Sequence, residues 1–127
     1  MAGISDDGAN LAIDAITATF WLALYTVNPN FQTGVGGTEA VGGGYAREAC
    51  AMSAAAARAS SNTAVENFVM GVNLAAGTYT GWGVYSLVAG GVFLGGATMA
   101  GGPRVIAVAG DTIRFAIGAI DLTIPNA

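Results

Sequence analysis

Few side chains in this sequence have the types and spacing that catalysis requires. The 127 residues include no histidine and no lysine, and the four cations are Arg47, Arg58, Arg104 and Arg114. Without histidine, Ser-His-Asp, Cys-His and two-histidine-one-carboxylate sites are all excluded. The single cysteine, Cys50, cannot form an intrachain disulfide or supply a zinc ligand set. It stands among alanines in a strand pattern, and we interpret it as a core residue.

The carboxylates do not form a pair that indicates acid–base work. Asp6 and Asp7 stand at the start of a helical pattern, where capping explains them. Asp111 follows a glycine in a predicted turn, and Asp121 and Glu66 lie on predicted strands. No run of acidic residues resembles a calcium-binding loop. We therefore predict no catalytic, cofactor-binding or metal-binding residues, no cofactor, and a protein that is not an enzyme.

The stretch "QTGVGGTEAVGGGYAREA" (32–49) contains six glycines and raises the alternative of a phosphate cradle. A P-loop needs a lysine at the terminal phosphates, and this chain has none. A dinucleotide fingerprint needs a third glycine where Glu39 or Arg47 stands, and a helix where a strand pattern follows. We interpret residues 32–44 as a loop without steric preference, disordered alone and ordered by docking on neighbouring subunits. The alternative is a solvent-exposed hairpin loop with no partner.

A partner interface is predicted at Phe31, Val35, Tyr45 and Arg47. Phe31 and Val35 would supply apolar area that docking buries. Tyr45 and Arg47 stand where the chain re-enters the sheet, and both residue types are common interface anchors.

Five aromatic residues offer a different alternative, a platform that binds sugars. Trp21 and Tyr25 are four residues apart on one predicted strand, so their side chains share a face. Tyr79 and Tyr85 are interpreted in the same way, and Trp82 lies between them. Packing in the core and sheet is the simpler explanation, and we favour it.

Composition indicates contact with other proteins. Hydrophobic residues make up 54% and charged residues 9% of the chain, against about 25% charged in a typical soluble domain. Some of the surface must therefore be apolar, which predicts a homo-oligomer (dimer or trimer) or a docked subunit. The net charge of −4 argues against binding to nucleic acid or to anionic membranes. The charge-free segment 67–103 is broken by paired glycines, so we reject a membrane helix. The N-terminus lacks a secretory signal pattern, which predicts synthesis and assembly in a cytoplasm.

The remaining pattern is one short helix followed by short strands. Residues 5–18 combine a capping serine with apolar positions at helical spacing. Residues 19–27 and 45–53 are typical of strands, and residues 78–99 and 104–117 are each interpreted as a hairpin. We predict an all-β fold: a single-domain, jelly-roll-like β-sandwich of about eight short strands over residues 1–127, with a short N-terminal helix within 1–18.

The order of five segments resembles a family of small tailed-bacteriophage virion proteins, often labelled phage tail fibre proteins. The segments are "LALYT" (22–26), "GGTEAVGGGYAR" (36–47), "SNTAVENF" (61–68), "WGVYSLVAGGVFLGGA" (82–97) and "AGDTIRFAIGAIDLTI" (109–124). Ala40 stands where the family has valine. The resemblance covers nearly the whole chain and implies a non-enzymatic structural protein of the virion.

Two places in the virion agree with that resemblance. The family label implies a tail fibre or tail appendage, which leaves room for a host-surface glycan ligand. A fibre shaft, however, needs repeats or heptads to gain length, and the sequence contains neither. We therefore predict a capsid cement or decoration protein that docks on the major capsid protein and stabilises the shell. A tail-fibre or tail-appendage subunit is the alternative.

Overall fold

The computed structural model describes residues 3–125. Its first element is helix α1, Asp6–Thr17. The Ser5 Oγ accepts a hydrogen bond of 3.0 Å from the Gly8 amide, which caps the helix, and two aspartates occupy the first turn. Ala9 and Ile13 are fully buried. The predicted N-terminal helix is confirmed.

Eleven short strands follow the helix, which confirms the predicted all-β, sandwich-like class with more strands than the expected eight. The jelly-roll pattern of connections stays a prediction. The strands are β1 Trp21–Val27, β2 Thr38–Glu39, β3 Glu48–Ala49, β4 Ala59–Ser61, β5 Glu66–Val69, β6 Gly77–Tyr79, β7 Gly81–Tyr85, β8 Phe93–Thr98, β9 Arg104–Ile106, β10 Thr112–Phe115 and β11 Asp121–Thr123.

The central sheet has five strands in the order β2-β1-β7-β8, with β3 also paired to β1. All its pairings are antiparallel. β7 and β8 form the hairpin expected within residues 78–99, with Trp82 opposite Ala97. Three two-stranded sheets, β5-β10, β4-β11 and β6-β9, complete the fold.

Two strand predictions were wrong. Residues 104–117 do not form a hairpin, because β9 pairs with β6 and β10 pairs with β5. Alternation sets which face of a strand is buried but does not choose its neighbour, and the carboxylate of Asp111 holds the intervening turn by accepting from the Ala107 and Val108 amides. Of the strand expected over 45–53, only β3 forms, followed by an isolated bridge between Met52 and Asn62.

Both faces of β1 are covered, so its residues 22–25 are all buried. The inner face joins the main core, and the opposite face, which we call the outer face, carries Tyr25 and is covered by loops. The main core contains residues from the central sheet and from the β5-β10 and β6-β9 sheets, together with Ile120 directly before β11: Leu22, Leu24, Val84, Phe68, Tyr79, Ile106, Ile113, Phe115 and Ile120. Glu66 points among these apolar groups, where burial, and then the charge of Glu48, raises its pKa.

Two buried polar side chains join distant segments. The Asn62 amide donates to the Ala64 and Ala116 carbonyls at 2.9 Å, and its oxygen accepts from the Ile120 amide at 2.9 Å. Asn62 is 1% exposed, so these bonds replace water for three backbone groups. This geometry explains why asparagine stands at position 62, the first asparagine of "SNTAVENF" (61–68).

Arg58 is the second of these side chains, and it joins the start of the helix to the end of the described chain. Its guanidinium donates to the Ile4 carbonyl, the Asp6 carboxylate, and the Ile124 and Pro125 carbonyls, at 2.8–3.1 Å. The side chain is 9% exposed. Because Arg58 lies next to β4, these bonds fasten α1 and the segment after β11 to the same edge of the domain.

Candidate interaction surface around the glycine-rich loop

The glycine-rich loop, residues 32–44, is built against the domain. β2 lies in its middle and pairs with β1, with Glu39 opposite Tyr25. The six glycines have φ values between 63° and 80°, a region that side-chain-bearing residues rarely adopt. A Cβ on Gly37 would lie 2.6 Å from the Pro29 nitrogen, and one on Gly43 would lie 2.5 Å from the Ala75 nitrogen. The expectation that these glycines impose no steric preference was therefore wrong. Whether neighbouring subunits are needed to order the loop stays a prediction.

A charge cluster, Glu39–Tyr45–Arg47, closes this loop. The Arg47 Nε and Nη2 donate to the two Glu39 carboxylate oxygens at 2.9 and 2.8 Å, a bidentate pair. The Tyr45 hydroxyl donates to Glu39 Oε2 at 2.8 Å. Exposure is 8% for the Arg47 side chain and 27% for Glu39, so solvent screens this pair less than a surface ion pair.

Tyr45 also binds a β1 amide that has no partner in a neighbouring strand. β2 and β3 lie along the same side of β1, and the Leu24 amide falls between them without a strand partner. The Tyr45 oxygen accepts from that amide at 3.1 Å. Burial raises the pKa of the Tyr45 phenol far above its ordinary value, and the bond to Glu39 adds to this. The phenol therefore serves as a fixed neutral hydrogen-bonding group.

Arg47 reaches from the loop to the tip of the β7–β8 hairpin. Its Nη1 donates to the Leu87 and Gly90 carbonyls at 2.9 and 2.7 Å. The guanidinium carbon lies 3.6 Å from the centroid of the Tyr85 ring, a cation–π contact. One side chain thus holds the glycine-rich loop, the hairpin tip and the outer face of the central sheet together.

The outer face is an aromatic layer made possible by glycines. Tyr85 packs edge-on against Phe93, with ring centroids 5.4 Å apart, and its hydroxyl meets that of Tyr25. A Cβ on Gly34 would lie 2.6 Å from Phe93, so only glycine lets the loop pass over this ring. A Cβ on Gly83 would lie 2.9 Å from both Phe93 and Tyr25.

The four predicted interface residues therefore divide into two kinds. Tyr45 and Arg47 direct their polar groups inward. Both donate to Glu39, and Arg47 also donates to two backbone carbonyls. Phe31 is half-buried beside Gly96 of β8, and Val35 is 72% exposed. Whether any of the four contacts a partner stays a prediction, and Val35 is the one with most of its surface open.

Sequence reasoning missed the residues that make Tyr45 and Arg47 structural. Glu39, Tyr85 and Phe93 are 8, 38 and 46 positions from Arg47 along the chain, and only folding brings them together. Glu39 had a detectable signal, because it is the one acidic residue in "GGTEAVGGGYAR" (36–47), the segment that ends at Arg47.

The aromatic sugar platform is not assembled as the spacing suggested. Tyr79 lies on β6 with 2% exposure, apart from Tyr85 on the outer face of β7. Tyr25 is also 2% exposed, and Trp82 packs edge-on against Phe115. Packing accounts for these rings, as we favoured.

Cys50 is a core residue, as predicted. It is 4% exposed, and its Sγ lies 3.8 Å from the Met52 sulfur. Burial raises the pKa of the thiol to about 12, so the nucleophilic thiolate is scarce at neutral pH. A depression of about 590 Å³ lies beside it, bounded by the end of α1 and residues 49–54. Within residues 3–125, no group of three or more His, Cys, Asp or Glu side chains could hold a metal ion.

Comparison with protein families identifies one match, over residues 10–123, to the family described as Podophage GP4 fiber I protein gp80. The match includes all eleven strands and most of α1. The chain belongs to this family. Membership confirms the predicted resemblance and indicates a structural role in a phage virion. No curated protein matches the chain. No helix among residues 3–125 combines the length and apolarity needed to cross a membrane.

Proposed function

We propose that the protein is a compact, non-enzymatic structural subunit of a tailed-phage fibre apparatus, held in place by contacts with neighbouring virion subunits. The observation that carries this proposal is the family match over residues 10–123, whose description names a fibre protein. The internal use of Glu39, Tyr45 and Arg47 agrees with it, because these groups serve the fold and leave no free acid, base or nucleophile among them.

The surface of the described chain supports docking on other proteins. Val35, Val41 and Val72 are each more than 70% exposed, and all three project from loops. Exposed valines in a chain with 9% charged residues offer apolar area that protein contacts can bury. We propose neighbouring copies and adjacent virion proteins as the partners, and not nucleic acid or membrane.

A capsid cement protein is the second candidate, because the fold gives no means of building a long shaft. The longest helix in residues 3–125 has 12 residues and the longest strand has 7. A subunit of this shape would act as a compact unit at a joint, a base or a shell surface.

Copy number and location separate the two candidates. Quantitative mass spectrometry of intact virions, purified tails and DNA-filled heads would measure this chain against the major capsid protein and a known tail protein. A fibre subunit should be recovered with tails at a small fraction of the capsid protein's abundance. Recovery with heads, at an abundance comparable to the capsid protein, would establish the cement role. Recovery in neither fraction would contradict a virion role.

A further inference from the structure

The last strand of the central sheet, β8, has a strand neighbour on one side only. The Met99 amide donates to the Thr80 carbonyl, which sets the phase of the β7–β8 ladder. With Gly83 opposite Gly96 and Gly81 opposite Thr98, these are the non-hydrogen-bonded pairs of the ladder. The amides and carbonyls of Gly96 and Thr98 therefore point away from β7. Neither residue makes another backbone hydrogen bond within residues 3–125.

The β8 edge lacks most of the features that normally prevent strands from pairing between molecules, although a register shift beside Leu94 interrupts its ladder with β7. Its sequence, "FLGGAT", has no charge and no proline, and it has six residues. Proteins usually protect an open edge with charge, proline or a very short strand. The opposite edge of the same sheet is protected, because β2 and β3 have two residues each and carry Glu39 and Glu48. β8 is therefore the less protected of the two edges of this sheet.

A groove of about 340 Å³ runs beside this edge. It lies between residues 94–97 of β8 and residues 119–123, and Trp82, Leu94 and Leu122 line it. Asp121 is the charged residue among the groove's lining. A strand added to β8 would extend the sheet along this groove and bury apolar side chains on its floor.

The charges around β8 favour a second copy in an antiparallel arrangement. Arg104 and Arg114 line a small depression that includes Met99, directly after the Thr98 end of the strand. Across a two-fold axis, the Thr98 end of one copy lies beside the Phe93 end of the other. The antiparallel arrangement keeps the arginines of the two copies apart. It also places Arg104 and Arg114 of each copy nearer to the other copy's groove, which holds Asp121. No residue from 67 to 103 is charged, so the strands themselves meet without repulsion.

We propose that two copies of this chain associate through antiparallel pairing of their β8 strands, which joins two five-stranded sheets into one. The Gly96 and Thr98 backbone groups of each copy bond to the partner's β8. The contact concerns two copies of the chain, so it applies equally to a fibre subunit and to a capsid subunit.

The test compares two threonine-to-lysine variants. Thr98→Lys places a charge on the β8 edge, whereas Thr112→Lys places it on another exposed threonine, in the edge strand β10. Sedimentation velocity across a hundredfold concentration range should give twice the chain mass for the wild type and for Thr112→Lys. Thr98→Lys should remain a monomer with the circular dichroism spectrum of the wild type. A wild type that is monomeric throughout, or a Thr98→Lys dimer as stable as that of the wild type, would overturn the proposal.

Amide hydrogen exchange provides a second measurement that needs no variant. In the wild type, the Gly96 and Thr98 amides should exchange at least tenfold more slowly when the concentration rises from below to above the dimerisation midpoint. The outward-facing Thr112 amide of β10 serves as the internal control and should not change. Concentration-independent exchange at Gly96 and Thr98 would show that another surface forms the dimer, and would refute pairing through β8.

Discussion

At the scale of single residues, this protein uses its few charged groups as internal fasteners. Arg47 has its donors directed to one carboxylate and two carbonyls, and Arg58 bonds to four separate residues. Arginine suits this role because its planar group offers five donors and stays charged when buried. Only 9% of the residues are charged, and two of the four cations, Arg47 and Arg58, hold segments of the chain together.

Arg47→Met should lower the free energy of unfolding by about 3 kcal/mol, because it leaves the Glu39 carboxylate with only the Tyr45 hydroxyl as a donor and leaves two hairpin carbonyls without one. Methionine keeps most of the apolar stem, so the loss reports on the guanidinium. Urea unfolding followed by tryptophan fluorescence measures it. Arg104→Met is the matched control, since Arg104 is exposed and makes one long bond of 3.3 Å, and it should change stability by less than about 0.5 kcal/mol. Equal effects of the two substitutions would mean that the cluster does not stabilise the fold.

At the scale of elements, the glycine-rich loop is a structural element in its own right. Its positive φ angles and close backbone contacts require glycine at specific positions, while β2 ties its centre to β1. The sequence showed the glycines but not what they approach, because Pro29, Ala75 and Phe93 come near them only after folding.

Two neighbouring glycines separate backbone conformation from close contact. Gly36 and Gly37 have φ values of 76° and 77°, but a Cβ on Gly36 meets nothing within 4 Å, whereas one on Gly37 meets backbone at 2.6 Å. Gly36→Ala should cost about 1 kcal/mol, the price of the left-handed conformation alone. Gly37→Ala should cost about 2 kcal/mol more, because the chain must move to relieve the contact. Thermal unfolding by calorimetry measures both.

A disordered loop predicts a different outcome for these variants. Alanine would then restrict the folded and unfolded chains alike, and both substitutions would leave stability within about 0.5 kcal/mol of the wild type. That result would support the hypothesis that residues 32–44 are ordered only when they dock on a partner.

At the scale of the whole molecule, the outer face of the central sheet is closed by its own loops, whereas Val35 and the β8 edge are open. We therefore propose that contacts with other virion proteins use exposed loop residues such as Val35 and the β8 edge. Both are uncharged, in keeping with the composition.

Val35→Asp should leave the fold intact, because the side chain is 72% exposed, and should reduce incorporation into virions at least tenfold. A charge that must be buried at an interface without a partner is strongly unfavourable. Complementation of a phage lacking this gene, followed by quantification of the chain in purified virions, measures the effect. Val108→Asp, which changes a 63% exposed valine on another loop, is the control and should be incorporated normally. Normal incorporation of both variants would remove Val35 from the interface.

The sequence by itself determined the class of protein. The turn-forming glycines and the capping serine were enough to predict a β-rich fold with an N-terminal helix, because these features depend on local chemistry. The virion role followed from the resemblance of five ordered segments to a phage family. The β7–β8 hairpin was also predicted correctly.

Only the tertiary structure decided which strands are neighbours and which way the key side chains point. β9 and β10 look like a hairpin in sequence, yet they pair with β6 and β5, because alternation defines a buried face and not a partner. Tyr45 and Arg47 have the residue types of interface anchors, but Glu39 and the Tyr85 ring draw them inward. An uncharged strand such as β8 becomes an open edge only through its place in the sheet, a property of long-range packing that no local pattern contains.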